Sequence, residues 1–268
     1  MRAVAHQTLL GAGLLLLTLF SRSTGSNVPC IIPSHTQLTS QRSREIGVEE
    51  SRWLTQLTSS DPEKRREAVL ELSHIEGSAA ASALSSALAD HSPRVRAAAA
   101  AGIAERREAA AVPLLAACLT KDKDAFVRKM AAYALGGFRG SDRTAALMAA
   151  LTDKDPEVRG AAAVSLGVFA DAEAVAPLTA ALSDKNAFVR AHAARALGVN
   201  GAAAIQSVPT LKKLLTSQDD GEVRRQAATA LGSIGDRSAL TALELARHDK
   251  DPYLVQAAIE SIKILEKK

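Results

Sequence analysis

Residues 155–167, which read DPEVRGAAAVSLG, decide the fold because related stretches recur along most of the chain. With Arg159 as a marker, successive copies are separated by 31, 32, 31, 31, 34 and 31 residues. A repeat of this length indicates a solenoid, in which each unit packs against the next. The marker positions are Arg65, Arg96, Arg128, Arg159, Arg190, Arg224 and, with the arginine replaced, Val255.

Every copy carries the signal for the start of a helix. Four residues before the marker stands a side chain that accepts hydrogen bonds from the free backbone N–H groups of a first helical turn. Proline follows it in four copies, where its missing N–H costs nothing. The predicted N-caps are Asp61, Ser92, Asp124, Asp155, Asn186, Asp220 and Asp251.

The residues after the cap predict one buried face. Valine or leucine precedes the marker in six copies, alanine always stands three residues after it, and leucine or isoleucine stands seven after it. These offsets fall on one helical stripe, which is the face that packs into a core. A constant alanine predicts a neighbouring backbone too close for a larger side chain. Glycine then follows in four copies and is expected to end the helix in the left-handed conformation.

The marker arginine needs a partner because a cation in the first turn lies beside the positive end of the helix dipole. We predict that the capping aspartate of the same or an adjacent repeat pairs with it, giving a ladder of charge-assisted hydrogen bonds along the stack. The loss of the arginine at Val255, in the last copy, agrees with this prediction. The predicted ladder comprises Asp61, Arg65, Arg96, Asp124, Arg128, Asp155, Arg159, Arg190, Asp220 and Arg224.

The amino-terminal residues predict export. Residues 9–20 are almost wholly apolar, Arg2 precedes them without any acidic residue, and the small residues Ser23 and Gly25 offer a nearby cleavage point. This pattern is typical of a secretory signal peptide over residues 1–25. Its apolar core is shorter than the roughly 20 residues of a membrane span. We therefore expect a protein of the bacterial periplasm or the extracellular space, without a membrane span once the signal is removed.

Residues 26–44 are rich in Ser, Thr, Gln and Arg without periodicity, and they are predicted to be a flexible linker before repeats that occupy residues 45–268. Cys30 lies in this segment, but the residues before it differ from a bacterial lipobox, which disfavours a lipoprotein. Cys118 stands in an Ala- and Leu-rich helix and is expected to be a small core residue. Two unrelated cysteines do not make a disulfide framework.

Composition limits the classes of function. The chain has 47% hydrophobic but only 3% aromatic residues, which suits close-packed helices rather than sheets. The net charge of +4 falls to +2 without residues 1–25, which hold two basic residues and no acidic one. The basic residues are spread through the repeats, so no nucleic-acid partner is expected. No zinc spacing, phosphate loop or nucleophile motif occurs, so we predict no catalytic residue, metal site or cofactor.

The repeated pattern Leu-x-Asp-x-Asp-Pro-x-Val-Arg-x-x-Ala-Ala-x-x-Leu-Gly resembles the HEAT repeat, and in particular the short HEAT-like repeat named after phycobilisome lyase subunits. The resemblance covers residues 45–268 in seven copies. It implies an all-α fold, a right-handed α-solenoid of about seven two-helix repeats whose second helices line the concave side. The resemblance also implies a protein-binding scaffold, which is the function expected of most proteins with these repeats.

Two enzyme-associated groups with similar repeats provide the alternative. Deoxyhypusine hydroxylase binds two irons through His-Glu dipeptides, whereas none of the six histidines here is followed by glutamate. The bilin-attaching lyase subunits resemble this chain only through the generic repeat. We therefore expect a non-enzymatic scaffold with an unidentified protein partner, and keep an accessory subunit of a modifying enzyme as the alternative.

The helix surface opposite the core predicts where a partner binds. The residue five after the marker differs in every copy, and the residue two after it lies beside it on the helix. In the central repeats these positions form an apolar strip with a polar end, which favours a protein contact in the concave groove. Surface positions that drift without selection would give the same pattern. The predicted groove residues are Met130, Tyr133, Ala161, Val164, His192, Arg195, Gln226 and Thr229.

Overall fold

The computed structural model describes the backbone of residues 35–267 and the side chains of residues 46–267. The predicted signal peptide, residues 1–25, and Cys30 lie outside the described residues. The chain divides into two compact units, residues 1–45 and 46–268. Of the first unit, only the helical residues 35–45 are described. Within the described part of the chain, no helix is long and apolar enough to cross a bilayer.

Helices form the architecture, and the described residues contain no strand. Each repeat has a first and a second helix. The first helices are α1 (His35–Gln56), α3 (Ser78–Ala87), α5 (Val112–Lys121), α7 (Ser141–Ala150), α9 (Val175–Ala181), α11 (Val208–Leu215) and α13 (Leu240–Ala246). The second helices are α2 (Pro62–Ser73), α4 (Pro93–Arg106), α6 (Ala125–Leu135), α8 (Pro156–Leu166), α10 (Ala187–Asn200), α12 (Gly221–Ile234) and α14 (Pro252–Glu266).

The first helix begins earlier than the sequence predicted. It starts at His35 rather than near Glu45, so residues 35–44 are helical and not the flexible linker that their polar composition suggested. No proline or glycine interrupts this stretch, and its Gln, Arg and Leu residues have good helix propensity. A polar composition is therefore compatible with a helix here.

A continuous apolar core runs through the second unit between the first and the second helices. The second helices of consecutive repeats lie side by side, from α2 against α4 to α12 against α14. The alanine three residues after the marker is fully buried in all seven copies: Ala68, Ala99, Ala131, Ala162, Ala193, Ala227 and Ala258. The predicted buried face is thus confirmed, and the second unit is an all-α solenoid.

The predicted N-caps are confirmed in six of the seven second helices. In each of these six, the capping side chain accepts a hydrogen bond from the backbone N–H two residues later. Asp155, for example, accepts from the N–H of Glu157 at 2.8 Å. Ser92 is the exception, because its side chain makes no capping bond.

The glycine eight residues after the marker occurs in four copies: Gly136, Gly167, Gly198 and Gly232. The prediction that it ends the helix in a left-handed conformation is wrong. The first two have φ of −57° and −78°, and the other two lie inside α10 and α12. This glycine instead permits close packing, since a Cβ on Gly232 would lie 2.8 Å from the Cα of Ser261 on the next second helix. The left-handed residue that ends α12 is Gly235, with a φ of 87°.

All six marker arginines are ion-paired, but the prediction that the capping aspartates are their partners is wrong. The partner is the aspartate one or two residues before the cap of the following repeat. In a two-point contact, Nε and Nη2 of Arg128 each lie 2.8 Å from a carboxylate oxygen of Asp153. The pairs are Arg65–Asp90, Arg96–Asp122, Arg128–Asp153, Arg159–Asp184, Arg190–Asp219 and Arg224–Asp249.

The capping carboxylates do not pair with the marker arginines because they bond the first turn of their own helix. These caps are Asp61, Asp124, Asp155 and Asp220. The arginine side chain instead extends back across the loop of its own repeat, where Nη1 of Arg128 donates to the carbonyl of Asp122 at 3.0 Å. Asp153 in turn accepts from the backbone N–H of Asp155 at 2.9 Å. Each pair therefore connects two consecutive loops.

Candidate interaction surface

The side of the second helices that faces away from the core is formed mainly by three positions, which lie two before, two after and five after each marker. Because an α-helix turns about 100° per residue, these positions fall within about 60° of one another. We call this surface the outer stripe. The sequence-based prediction used only the last two positions. The position two before the marker holds Glu63, Arg94, Phe126, Glu157, Phe188, Glu222 and Tyr253.

One predicted groove residue does not reach the surface. Ala161 is fully buried and belongs to the apolar core, so it cannot contact a partner. The reason is the close approach of neighbouring helices: the ring of Phe188 on α10 lies so near Gly160 on α8 that a Cβ on this glycine would overlap it. A small residue in this part of α8 is therefore covered rather than displayed.

The remaining predicted groove residues lie at least partly at the surface, but they do not share one depression. Tyr133 has 41% of its surface exposed, and Arg195 and Thr229 are also exposed. The others are half-buried: Met130, Val164, His192 and Gln226. Met130 lines a depression toward the amino-terminal repeats, whereas Arg195, Gln226 and Thr229 line a separate one.

His192 packs against an aromatic ring. Its ring centroid lies 4.2 Å from that of Phe188, in an edge-to-face arrangement. Burial lowers the pKa of His192, and the positive charge of Arg195 lowers it further, against the opposing charge of Glu222. A histidine with a lowered pKa is neutral at pH 7. The outer stripe therefore carries an uncharged imidazole at His192, close to the positive charge of Arg195.

The carboxyl-terminal depression lies between α10 and α12 and has a volume of about 210 Å³. Two of its polar side chains are already bonded within α12. Gln226 donates to the carboxylate of Glu222 at 2.7 Å, and the hydroxyl of Thr229 donates to the carbonyl of Arg225 at 3.1 Å. The exposed guanidinium of Arg195 on α10 also lines this depression, and its N–H groups remain as donors for a ligand.

Sequence reasoning missed a set of exposed aromatic side chains. Phe126, Phe188 and Tyr253 occupy the position two before the marker in alternate repeats, and they are 50%, 44% and 73% exposed. A helical wheel could have found them, because this position lies one turn before the residue two after the marker. Together with Tyr133, these rings give the outer stripe a large apolar content.

The depression at the amino-terminal repeats has a volume of about 410 Å³ and an apolar lining. It exists because the second repeat carries five consecutive alanines, residues 97–101, between repeats that display larger side chains at the equivalent positions. The run of alanines in the sequence was the signal for it. We call this depression the alanine pocket; its apolar lining comprises Leu70, Ala97, Ala98, Ala101, Phe126 and Met130.

Three charged side chains also line the alanine pocket at its rim. Nε of Arg66 lies 2.8 Å from one carboxylate oxygen of Glu63, and Nη1 of Arg94 lies 3.2 Å from the other. Hydrogen bonds from Arg66 and then from Arg94 lower the pKa of Glu63. Two guanidinium groups therefore share one ionised carboxylate, and these rim residues carry a formal charge of +1.

A stack of two-helix repeats with a continuous core and an arginine–aspartate pair at each repeat junction defines an α-solenoid repeat protein. The family model described as HEAT repeats matches residues 50–136, 144–207 and 189–263. These segments cover most of the chain, which therefore belongs to the HEAT-repeat family. No curated protein matches the sequence.

Solved structures with the same fold include natural and engineered proteins. The X-ray structure of YibA from Escherichia coli is 21% identical, with a TM-score of 0.65 over 87% of this chain and 89% of that one. An engineered protein is 26% identical, with a TM-score of 0.58 over 84% of this chain and 70% of that one. The complex of CpcE and CpcF of phycocyanin lyase from Nostoc sp. PCC7120 is 22% identical, with a TM-score of 0.50 over 91% and 100%.

Proposed function

We propose that this protein is a non-catalytic scaffold that binds another protein through the outer stripe of its second helices. The observation that carries the proposal is the set of exposed rings on this surface. Phe126, Tyr133, Phe188 and Tyr253 are 41% to 73% exposed in a chain with only 3% aromatic residues. Large aromatic side chains bury much area on binding and are enriched at interface hot spots.

The repeat architecture supports the same function. The core and the arginine–aspartate pairs use the same residues in nearly every repeat, whereas the outer stripe changes from repeat to repeat. A solenoid presents such positions as one extended surface, which suits contact with a macromolecule more than with a small substrate. The surface charges can then set the orientation of the partner.

The binding test compares two variants of the full-length protein in its native host. In-cell crosslinking followed by mass spectrometry identifies proteins joined to the wild type. We expect the double variant Phe126→Ala/Tyr133→Ala to lose these crosslinks. Leu245→Ala is the matched control, because Leu245 is 65% exposed but lies on a first helix, α13. Equal crosslinking of the wild type and the double variant would disprove binding through the outer stripe.

We further propose that the protein is exported and acts in the periplasm or outside the cell. The support is the apolar segment of residues 9–20, which is preceded by Arg2 and followed by small residues. Amino-terminal sequencing of the protein purified from its host tests this proposal. We expect a mature chain that begins near Ser26, and we expect it in the periplasmic fraction or the culture medium. A retained Met1 in the cytoplasmic fraction would refute export.

The alternative function is an accessory subunit of a modifying enzyme. The likeness to the phycocyanin lyase subunits, at 22% identity, supports the fold alone. Within residues 46–267, no group of three or more His, Cys, Asp or Glu side chains is arranged to hold a metal ion. Metal analysis and an absorption spectrum of the protein purified from its host distinguish the two functions. Stoichiometric iron or a bound chromophore would favour the enzyme subunit.

A further inference from the structure

We propose that the alanine pocket recognises a partner peptide that presents adjacent apolar side chains next to a carboxylate. The inference rests on the proposed function and specifies the chemistry of the partner at one place on the outer stripe. It is carried by the shape of the pocket and by the unequal number of charges on its rim.

The shape of the pocket favours inserted apolar side chains. Its floor is the alanine run of α4, in which Ala97 is 2% exposed while Ala98 and Ala101 are half-buried. Its walls are formed by Leu70 and Phe126, which are 39% and 50% exposed. A volume of about 410 Å³ falls within the range of roughly 300–1,000 Å³ that is usual for ligand sites. Side chains that fill it would cover the alanine floor and both walls.

The charges on the rim favour an acidic group beside the inserted side chains. The side chain of Arg94 is 74% exposed, and its ion-pair partner, Glu63, is shared with Arg66. A carboxylate on the partner would supply the second anion and satisfy both guanidinium groups. A basic partner would be repelled by the net positive charge.

The lysine beside the Phe126 wall does not add to the uncompensated positive charge of the rim. Nζ of Lys129 lies 5.4 Å from the ring centroid of Phe126 and 3.3 Å from a carboxylate oxygen of Glu157 on the next second helix. This cation therefore already has an anion. The uncompensated positive charge lies on the side of Arg66 and Arg94, which sets the position of the acidic group relative to the apolar side chains.

The open form of the pocket favours a peptide over a fatty carboxylate, which would offer the same combination of apolar and acidic groups. The pocket is a depression on the surface of three adjacent second helices rather than an enclosed cavity. A hydrocarbon chain laid in it would keep one side in water. A peptide can insert its apolar side chains while its polar backbone stays hydrated.

The test begins with a library of random dodecapeptides displayed on phage and selected against the full-length protein. We expect the enriched peptides to contain two or more aliphatic or aromatic residues flanked by Asp or Glu. The most enriched sequence is then synthesised with a fluorophore, and its Kd is measured by fluorescence anisotropy at low salt. Dodecanoate is added as a competitor of the labelled peptide, because it is a fatty carboxylate that combines an apolar chain with an acidic group.

Two variants and their controls test the pocket itself. Ala98→Leu fills the floor, and we expect it to weaken peptide binding at least tenfold. Ala257→Leu is its control, because Ala257 is the equivalent half-buried position of the last repeat, outside the pocket. Arg94→Glu should weaken binding of the acidic peptide about tenfold and strengthen binding of the same peptide with its acidic residues changed to lysine. Arg237→Glu, at an exposed arginine elsewhere, controls for net charge.

The outcomes separate the failure of the inference from the failure of the proposed function. Enriched peptides whose binding is insensitive to Ala98→Leu but lost in Tyr133→Ala would overturn the pocket and leave the scaffold function standing. Basic peptides, or displacement of the peptide by micromolar dodecanoate, would overturn the assigned partner chemistry. If no peptide is enriched and the host protein shows no crosslinks, both proposals are wrong.

Discussion

Arg96 and Asp122 join two consecutive repeats through two hydrogen bonds, with Nε to Oδ2 and Nη2 to Oδ1 both at 2.7 Å. Nη1 of Arg96 donates to the carbonyl of Asp90 at 2.8 Å, and the carboxylate of Asp90 pairs with Arg65 of the repeat before. Arginine and aspartate thus alternate from loop to loop. Because the side chains of Arg96 and Asp122 are only 15% and 8% exposed, water screens this attraction weakly.

Loss of one of these arginines should destabilise the solenoid. The side chains of Arg128 and Asp153 are 5% and 13% exposed, so Arg128→Ala leaves a largely buried carboxylate without its cation. We expect the free energy of unfolding to fall by about 3 kcal/mol, measured by urea denaturation followed by circular dichroism. Arg94→Ala, which removes an exposed arginine that is also ion-paired, should leave the midpoint almost unchanged. Equal effects of the two variants would contradict this account.

The same ion pairs should make the protein sensitive to acid. Hydrogen bonds from Arg65 and Arg159 lower the pKa of Asp90 and of Asp184 below the ordinary value. A carboxyl whose pKa is lower in the folded state stabilises the fold above its unfolded pKa, and this contribution disappears as the pH falls through the folded pKa. Stability should therefore be constant from neutral pH to about pH 4.5 and fall steeply below about pH 4.

Melting temperatures measured between pH 7 and pH 2 test this prediction. Asp184→Asn should be less stable than the wild type at pH 7, and its melting temperature should depend less on pH below about pH 4. Parallel curves for the variant and the wild type would show that this carboxyl does not contribute to the acid sensitivity.

The close approach of second helices should make the glycine of α12 hard to replace. In Gly232→Ala the new Cβ would lie 2.7 Å from Cβ of Ser261 and 2.8 Å from its Cα, so the backbone must shift. We expect a loss of about 2 kcal/mol in the free energy of unfolding. Gly137→Ala is the control, because its Cβ would meet only the carbonyl of Ala134, at 3.6 Å. That change should stabilise the protein by about 0.5 kcal/mol.

A buried ion pair in the fourth repeat should show strong coupling. Arg143 on α7 has a fully buried side chain, pairs with Asp171 and donates from Nε to the carbonyl of Leu135 at 3.3 Å. Asp171→Ala leaves the buried guanidinium without an anion and should cost about 3 kcal/mol. The double variant Arg143→Leu/Asp171→Ala should be less destabilised than the sum of the single changes. Additive losses in this double-mutant cycle would show that the two side chains are not coupled.

Local signals predicted most of the helices. The second helices begin where the predicted caps placed them, because each starts directly after its capping residue and carries one apolar face. The start of α1 was missed because it has no such signal. The cap of Asp155 was predictable for the same local reason, since its carboxylate bonds a backbone group two residues away.

Contacts between repeats could not be read from the spacing alone. The sequence showed that Arg128 needed an anion. Most repeats offer a capping aspartate and also an aspartate just before the cap, such as Asp153, and the spacing did not show which of them pairs with the arginine. In the structure the loops place the carboxylate of Asp153 beside the guanidinium of Arg128. The candidate site was predicted only in part for a similar reason: Tyr133 reaches the surface, whereas Ala161 is covered by the packing of neighbouring helices.

The sequence by itself determined the repeat, the helix starts and the buried face, since each depends on interactions within a few residues and on a period that recurs seven times. The tertiary structure alone decided which aspartate each arginine meets, why glycine follows the last core leucine, and where the surface is hollow. These features depend on the distance between neighbouring second helices. That distance is set by the combined packing of all side chains at the junction of two repeats.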